Sequence, residues 1–284
     1  MKPSTELRIG RVRGMVPRGL LPAYVAARTR LAWRQEKVRE NARAEMRFVL
    51  EHTRPDADVE AAARRYVERQ IWRSELRWHI DLVTHQQVEG LEHLLAARDL
   101  GRGVLLSHMH HGHFEGAMAT LGRHGVVLHA LGSGHLLDSA SPGWMQQHAK
   151  VALAGGAIPV VADAGVDAMV EILTSGGILT MASDVPGRTP MRCLGRDLIG
   201  SFGAVRLAMG TGAQVVVMTS ELRDGFLPVV KLHPAFDPQE FPEPQKLLEA
   251  VLGAHEPYLV RWPELYDIPT SHWGVPEPAP DGSA

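Results

Sequence analysis

Residues 103–115 read Gly103-Val104-Leu105-Leu106-Ser107-His108-Met109-His110-His111-Gly112-His113-Phe114-Glu115. The continuous apolar run Gly103 to Leu106 has the character of a strand covered on both faces, as strands of parallel sheets are. A helical stretch opens at Phe114. Ligands of parallel α/β sheets bind outside the carboxyl ends of the strands, so the loop between these two elements is a natural place for a site. With His110 in the loop and Glu115 on the first helical turn, the helix can fold the carboxylate back under the ring. The acid then fixes the imidazole tautomer and stabilises the imidazolium formed on proton uptake. A base of that kind contributes on the order of 10² to 10⁴ in rate.

Plainer explanations exist for the same residues. A histidine at a strand end is often a satisfied polar group, and a Glu in a first helical turn is favoured by the helix dipole. His108, His110, His111 and His113 also raise a metal site, because the His-x-His-x-Asp-His motif of the metallo-β-lactamase fold follows an apolar strand too. Here Gly112 stands at the position of the Asp. That fold opens with strands, whereas about the first hundred residues of this chain read as helical. A metal-dependent hydrolase using His108, His110 and His113 is therefore the alternative to a histidine–carboxylate base.

Outward from this stretch, the chain alternates. Val59, Ala62, Tyr66, Val67, Ile71, Trp72, Leu76 and Ile80 recur at helical spacing and predict a long amphipathic helix from Asp58 to about Val83. A short helix is expected over Gly90 to Arg98. After the strand at Gly103, further strands are expected at Val126 to Ala130, Ala157 to Val161, Ile178 to Ala182 and Gln214 to Thr219. Helices are expected between them, near Phe114 to Gly122, Gly143 to Leu153, Gly165 to Leu173 and Ala204 to Met209. Phe226 to Leu232 reads as an edge strand and Pro244 to Ala254 as a last helix. The fold class is α/β: a mostly parallel central sheet flanked by helices, with a helical N-terminal extension. The expected division is an extension over residues 1–100, an α/β core over 101–270 and a disordered tail over 271–284.

Composition narrows the chemistry. The 284 residues are 45% hydrophobic, ample for one substantial core. The lone Cys193 excludes an intramolecular disulfide and a multi-cysteine zinc site, and a reducing cytoplasm is the simplest compartment. Without a partner base in sequence, Cys193 reads as a structural thiol. The net charge of −2 hides an asymmetry, since residues 1–40 hold ten Lys or Arg against three acids. Interleaved with Leu20, Leu21, Tyr24, Val25, Leu31 and Trp33, these charges describe either a basic amphipathic surface for anionic lipid or a solvated helix packed on the body. No stretch near the start reaches the roughly 20 apolar residues of a membrane span. Nucleic acid is not among the expected partners.

Several ordered blocks add to this. Gly90-Leu91-Glu92-His93-Leu94, Gly103 to Leu106, His110-x4-Glu115, Ser183-Asp184-Val185-Pro186-Gly187-Arg188, Leu194-Gly195-Arg196 and Ser201-x-Gly203-x-x-x-Leu207-Ala208-x-x-Thr211-Gly212-Ala213 follow one another along residues 40–265. In order and approximate spacing they resemble the lysophospholipid acyltransferase family, in particular its branch of bacterial lipid A biosynthesis and phosphatidylinositol mannoside acyltransferases. The resemblance implies a lipid-biosynthesis transferase that moves a fatty acyl group from a thioester, acyl-CoA or acyl carrier protein, to a hydroxyl or amine. The acceptor would be a lipid, a glycolipid or a natural product. It implies no metal and no bound cofactor, His110 as base, Glu115 as its supporting carboxylate and Asp184 as the acid of a second block. A thioester is already activated, so the enzyme needs a base for the incoming nucleophile more than a nucleophile of its own. Backbone N–H groups near Gly112 are the expected donors to the developing oxyanion.

Arg188 and Arg196, each beside a glycine in a loop, are candidates for phosphates of the donor or for an anionic acceptor, or are solvated. Asp184 either positions Arg188 or a substrate hydroxyl, or caps the turn after it. The chain departs from the resemblance in three places. It has no spanning anchor near its start; it has Gln147, His148 and Lys150 where relatives often carry an Arg before a glycine; and it has Val185 where a Gln commonly adjoins the acid. The expected location is cytoplasmic, peripheral at the inner face of the plasma membrane if residues 1–40 bind lipid.

Overall fold

The computed structural model describes residues 2–274. Twelve helices are assigned among them: α1 (Pro3–Arg13), α2 (Leu21–Trp33), α3 (Glu36–Leu50), α4 (Val59–Leu76), α5 (Ile80–Val83), α6 (Leu91–Asp99), α7 (Phe114–Arg123), α8 (Gly143–Leu153), α9 (Val166–Thr174), α10 (Gly203–Thr211), α11 (Pro244–Arg261) and α12 (Pro269–His272). The nine strands are β1 (Val88–Glu89), β2 (Val104–His108), β3 (His129–Gly132), β4 (Ile158–Val161), β5 (Ile178–Ala182), β6 (Thr189–Cys193), β7 (Arg196–Gly200), β8 (Gln214–Glu221) and β9 (Val229–Leu232).

Seven strands form one sheet in the order β1-β9-β8-β2-β5-β3-β4, and β6 and β7 form a separate antiparallel hairpin. All neighbours in the large sheet run parallel except β8 and β9. The expected α/β class with a largely parallel sheet is what the structure has. β9 lies between β8 and β1, so it is an interior strand where the sequence suggested an edge. β1 also belongs to the residues expected to be only a helical extension; it contributes two residues to the sheet border.

The middle of the sheet is dry on both faces because its strands place apolar side chains alternately up and down. Leu105 of β2 and Val215 and Val217 of β8 join one core with α9, α10, α11 and the β6–β7 hairpin. Val104 and Leu106 of β2 and Val216 and Met218 of β8 join the opposite core with α6 and α7. A third core, built from Leu21, Val25, Met46, Leu50, Tyr66, Trp72 and Leu76, binds α2, α3 and α4 together.

The N-terminal helices are tied to this body by charge as well. Glu75 of α4 is fully buried and takes Arg13 of α1 and Arg28 of α2, so two of the basic residues near the start neutralise an internal acid. Helix α1 lies against α8, where Glu6 accepts the Gly143 backbone N–H at 2.8 Å. At the other end, part of the expected tail belongs to the fold: Trp273 is buried and Gly274 pairs with Ile199 of β7. The rest of that tail lies outside the described residues.

Candidate active site

The site grows from one register. His108 ends β2 directly beside Ala182, which ends β5. Two residues beyond each strand end stand His110 and Asp184, and the parallel pairing delivers them side by side. Asp184 is fully buried. Its Oδ2 accepts the His110 backbone N–H at 2.9 Å, and its Oδ1 accepts the imidazole Nδ1–H at 2.9 Å. One carboxylate thus fixes both the loop and the ring, leaving Nε2 of His110 as the free nitrogen.

The electrostatics follow from burial and pairing. Burial pulls the His110 pKa down, but the charge and hydrogen bond of Asp184 outweigh it, and the group titrates above its ordinary value. Burial works to raise the Asp184 pKa, yet the charge and hydrogen bonds of His110 prevail and bring it to about 2. The neighbouring imidazoles behave oppositely. Burial lowers His108 to about 3 and His111 and His113 to about 4, so they stay neutral.

The loop that carries His110 is pinned by the C-terminal segment. Gly112 N–H donates to Leu265 C=O at 2.9 Å, and Asp267 N–H donates to His110 C=O at 2.8 Å. Gly112 has φ +71°, and a Cβ there would overlap the Ser220 hydroxyl, so only glycine fits the turn. The Gly112 N–H is engaged by Leu265, so of the backbone N–H groups near Gly112 expected as oxyanion donors this one is taken. His272 closes the arrangement from the same segment, its ring stacked on His110 at 4.1 Å and 10°. Nothing in the local sequence around Pro269–His272 announces this contact.

Glu115 does not meet the His110 ring in the expected way. It lies on the first turn of α7, almost fully buried, and faces Arg73 of α4, Arg77 just past the end of α4 and His148 of α8, each at 3.6 Å. Burial alone would raise its pKa; Arg73, His148 and Arg77 together hold it well below the usual carboxylate range. Helix geometry explains the difference, since α7 leads away from the strand end while the pairing of β2 with β5 brings Asp184 to it. Arg73 also reaches Asp267 at 2.8 Å and lies 5.1 Å over the Phe114 ring. Glu115 is therefore linked to the His110 loop only indirectly, through Arg73 and Asp267.

A cavity of about 660 Å³ opens at His110. Its wall includes the polar residues Arg73, Arg77, His148, Ser183 and Asp267; most of the rest is apolar, including Leu131, Leu136, Met145, Ala152, Val160 and Met181. It runs between α8 and the β3–β4 border of the sheet. Its size falls within the range of small-molecule sites, and its lining suits a hydrocarbon.

Arg188 is exposed, and neither it nor Arg196 lines this cavity. Arg196 pairs with Glu51 at 3.1 Å and lies 4.7 Å over Phe48. The arginines that do face the cavity are Arg73 and Arg77, four residues apart in the last turn of α4 and its C-cap. That spacing was readable as an i, i+4 pair but carried no chemical signature alone. Cys193 is buried, and burial pushes its thiol far up, as befits a structural residue.

The histidine cluster does not assemble as a metal site. His108 Nδ1 engages Thr180 Oγ1 at 3.1 Å, and among the described residues neither His108 nor His113 belongs to a group with metal-ligand spacing. Among the described residues the grouping that meets metal-ligand spacing is His110, Asp184 and His272, with ligand atoms within 4.8 Å of one another. Two nitrogens and an oxygen match the ligand count of an open zinc site. The two rings, however, stack nearly parallel, so their in-plane lone pairs run side by side and do not converge.

No family model matches the chain, and no curated protein matches it. Among solved structures it is similar to the crystal structure of the 1-acyl-sn-glycerophosphate (LPA) acyltransferase PlsC from Thermotoga maritima, at 15% identity and a TM-score of 0.41, over 74% of this chain and 85% of that one. A likeness so distant leaves the activity to be argued from the site's own chemistry.

Proposed function

We propose that the protein transfers a fatty acyl group from an acyl thioester, delivered on coenzyme A or acyl carrier protein, to a hydroxyl or amine of a lipid, glycolipid or natural-product acceptor. The observation that carries this reading is the His110–Asp184 pair at the mouth of a 660 Å³ cavity with a mainly apolar wall. Nε2 of His110 takes the proton of the acceptor as its oxygen or nitrogen attacks the thioester carbonyl. Asp184 stabilises the imidazolium so formed. Collapse of the tetrahedral species breaks the C–S bond, and the proton passes from His110 to the departing thiolate. The acyl chain occupies the apolar wall, while Arg73, Arg77 and His148 face the polar end of a substrate.

Peripheral membrane association fits the exposed surface near the start of the chain. Ile9, Val12, Met15 and Leu20 are exposed among Arg8, Arg11 and Arg18, and the cavity-lining Leu137 and Trp144 are exposed too. Apolar side chains interleaved with cations suit an anionic lipid interface. No helix among the described residues is long and apolar enough to cross a membrane.

The test is incubation of the purified protein with a panel of acyl-CoAs and acyl carrier proteins and a lipid extract, with products read by mass spectrometry. A new acylated species formed by the wild type and lost in His110→Ala is the expected result. Unchanged product formation by a folded His110→Ala protein would refute the assignment.

A further inference from the structure

A second polar chain lies behind the His110–Asp184 pair. Ser107 lies two residues after Leu105 on β2 and shares its face, which is packed against α11. There its Oγ lies 2.8 Å from Nε2 of His255 on α11 and 2.7 Å from Oγ of Ser183, the residue before Asp184. Ser107, Ser183 and His255 are all buried, and of the three only Ser183 lines the cavity. Its backbone N–H donates to His108 C=O at 2.8 Å, which sets the Ser183 side chain at the β5 end.

The hydrogens of such a chain have two self-consistent directions. Each hydroxyl has one hydrogen to give and lone pairs to accept with. If His255 donates from Nε2 to Ser107, and Ser107 donates to Ser183, the Ser183 hydrogen is left for the cavity. In the reverse direction the cavity receives only lone pairs. Only the first direction presents a donor to a carbonyl oxygen in the cavity. Burial holds His255 neutral, at about 3, so it enters the chain as a dipole and not as a cation.

We propose, resting on the acyl-transfer reading, that the Ser183 hydroxyl donates a hydrogen bond to the thioester carbonyl oxygen as it becomes an oxyanion, with Ser107 and His255 as positioning residues that set its direction. The Gly112 N–H is engaged by Leu265 and does not compete for this role. A donor already aimed by buried partners needs no reorganisation as charge develops. The reaction is otherwise unchanged: the Ser183 O–H bond stays intact, and the only proton moved is the one His110 carries.

Two measurements test this on the full chain. In ¹⁵N spectra of histidine-labelled protein, with His255→Gln to assign the ring, Nε2 of His255 should carry the proton across the neutral range; a proton on Nδ1 alone, with Nε2 bare, would overturn the proposed direction. In acyl-CoA turnover, Ser183→Ala should lower kcat by about 10² to 10³, the usual loss for one oxyanion donor, while KM changes little. Ser183→Thr, which keeps a hydroxyl, should recover most of the loss, and the acid limb of the pH profile should not move in either variant. A folded Ser183→Ala enzyme with wild-type kcat, in a protein whose turnover still requires His110, would overturn the oxyanion role and leave the acyl-transfer reading standing. Absence of transfer by the wild type with every donor would overturn both, independently of Ser183.

Discussion

Replacing Asp184 with Asn removes a charge at almost constant shape, and the hydrogen bonds around the carboxylate fix the consequence. It receives two N–H groups, the His110 backbone and its Nδ1, both at 2.9 Å. An amide has one oxygen for these two donors. If its oxygen stays on the backbone N–H, its NH₂ faces Nδ1, and the ring must move its proton to Nε2, the nitrogen required as base. If the amide flips, its NH₂ meets the backbone N–H. Loss of one charge-assisted hydrogen bond to the imidazolium costs about 1.5–3 kcal/mol, or roughly 10- to 150-fold in rate. The wrong tautomer extends the loss toward about 10⁴, the size seen when a triad carboxylate is amidated. We therefore expect kcat/KM to fall by about 10² to 10⁴, against a small change in KM. The pH profile supplies the sign. The base acts when neutral, so the rate rises with pH through the His110 pKa, which lies above its ordinary value because Asp184 outweighs burial. Without the carboxylate charge, burial prevails and the acid limb moves to lower pH. Thiol release from acyl-CoA, followed spectrophotometrically across about pH 5 to 9, reads both quantities. Activity within about fivefold of wild type together with an unmoved limb would refute the pairing as the source of basicity.

Three other substitutions separate the parts of the site. Glu115→Gln strips the anion from between Arg73 and Arg77; uncompensated buried charge costs about 3–5 kcal/mol, so the thermal midpoint should fall by roughly 6–15 °C, with activity reduced less than in Asp184→Asn. An unchanged melting curve would show that the cluster is not held by that acid. Ala152→Phe fills part of the apolar wall and should shift products toward shorter chains, each excluded methylene forfeiting about 0.8 kcal/mol of burial; an unaltered chain-length profile by mass spectrometry would take the acyl chain out of this cavity. Gly112→Ala forces a side chain into φ +71° against Ser220, at about 1–2 kcal/mol for the conformation alone, and should lower both the denaturation midpoint and turnover. Wild-type values for both would mean that the turn has room the structure does not show.

The strands that carry the site were legible because burial on both faces leaves a plain record: Ile178 to Ala182 coincides with β5, and the β2 and β8 runs begin within a residue of their observed starts. The β6–β7 hairpin was not legible. Its turn is Leu194-Gly195, with φ +55° and +67°, and a leucine in the left-handed region gives none of the Asn-Gly or Asp-Gly signal that marks such turns. The site shows the same limit in a more instructive form. Spacing within one segment pointed from His110 to Glu115, five residues on, because sequence proximity is all that a single segment displays. The partner the ring uses is 74 residues away and is selected by register: β2 and β5 pair in parallel, His108 beside Ala182, so the second residue past each end must meet. Both halves of that pair stood in the sequence as an apolar run followed by an ionisable residue. What was missing was the adjacency of the two strands, which depends on how the helices between them cross the sheet and leaves no trace in either segment. Glu115 kept the chemistry of a buried acid but passed it to α4, where Arg73 joins it to the segment bracing His110. A short motif read along the chain therefore found the histidine, while the carboxylate that orients its ring came from the neighbouring strand of the sheet.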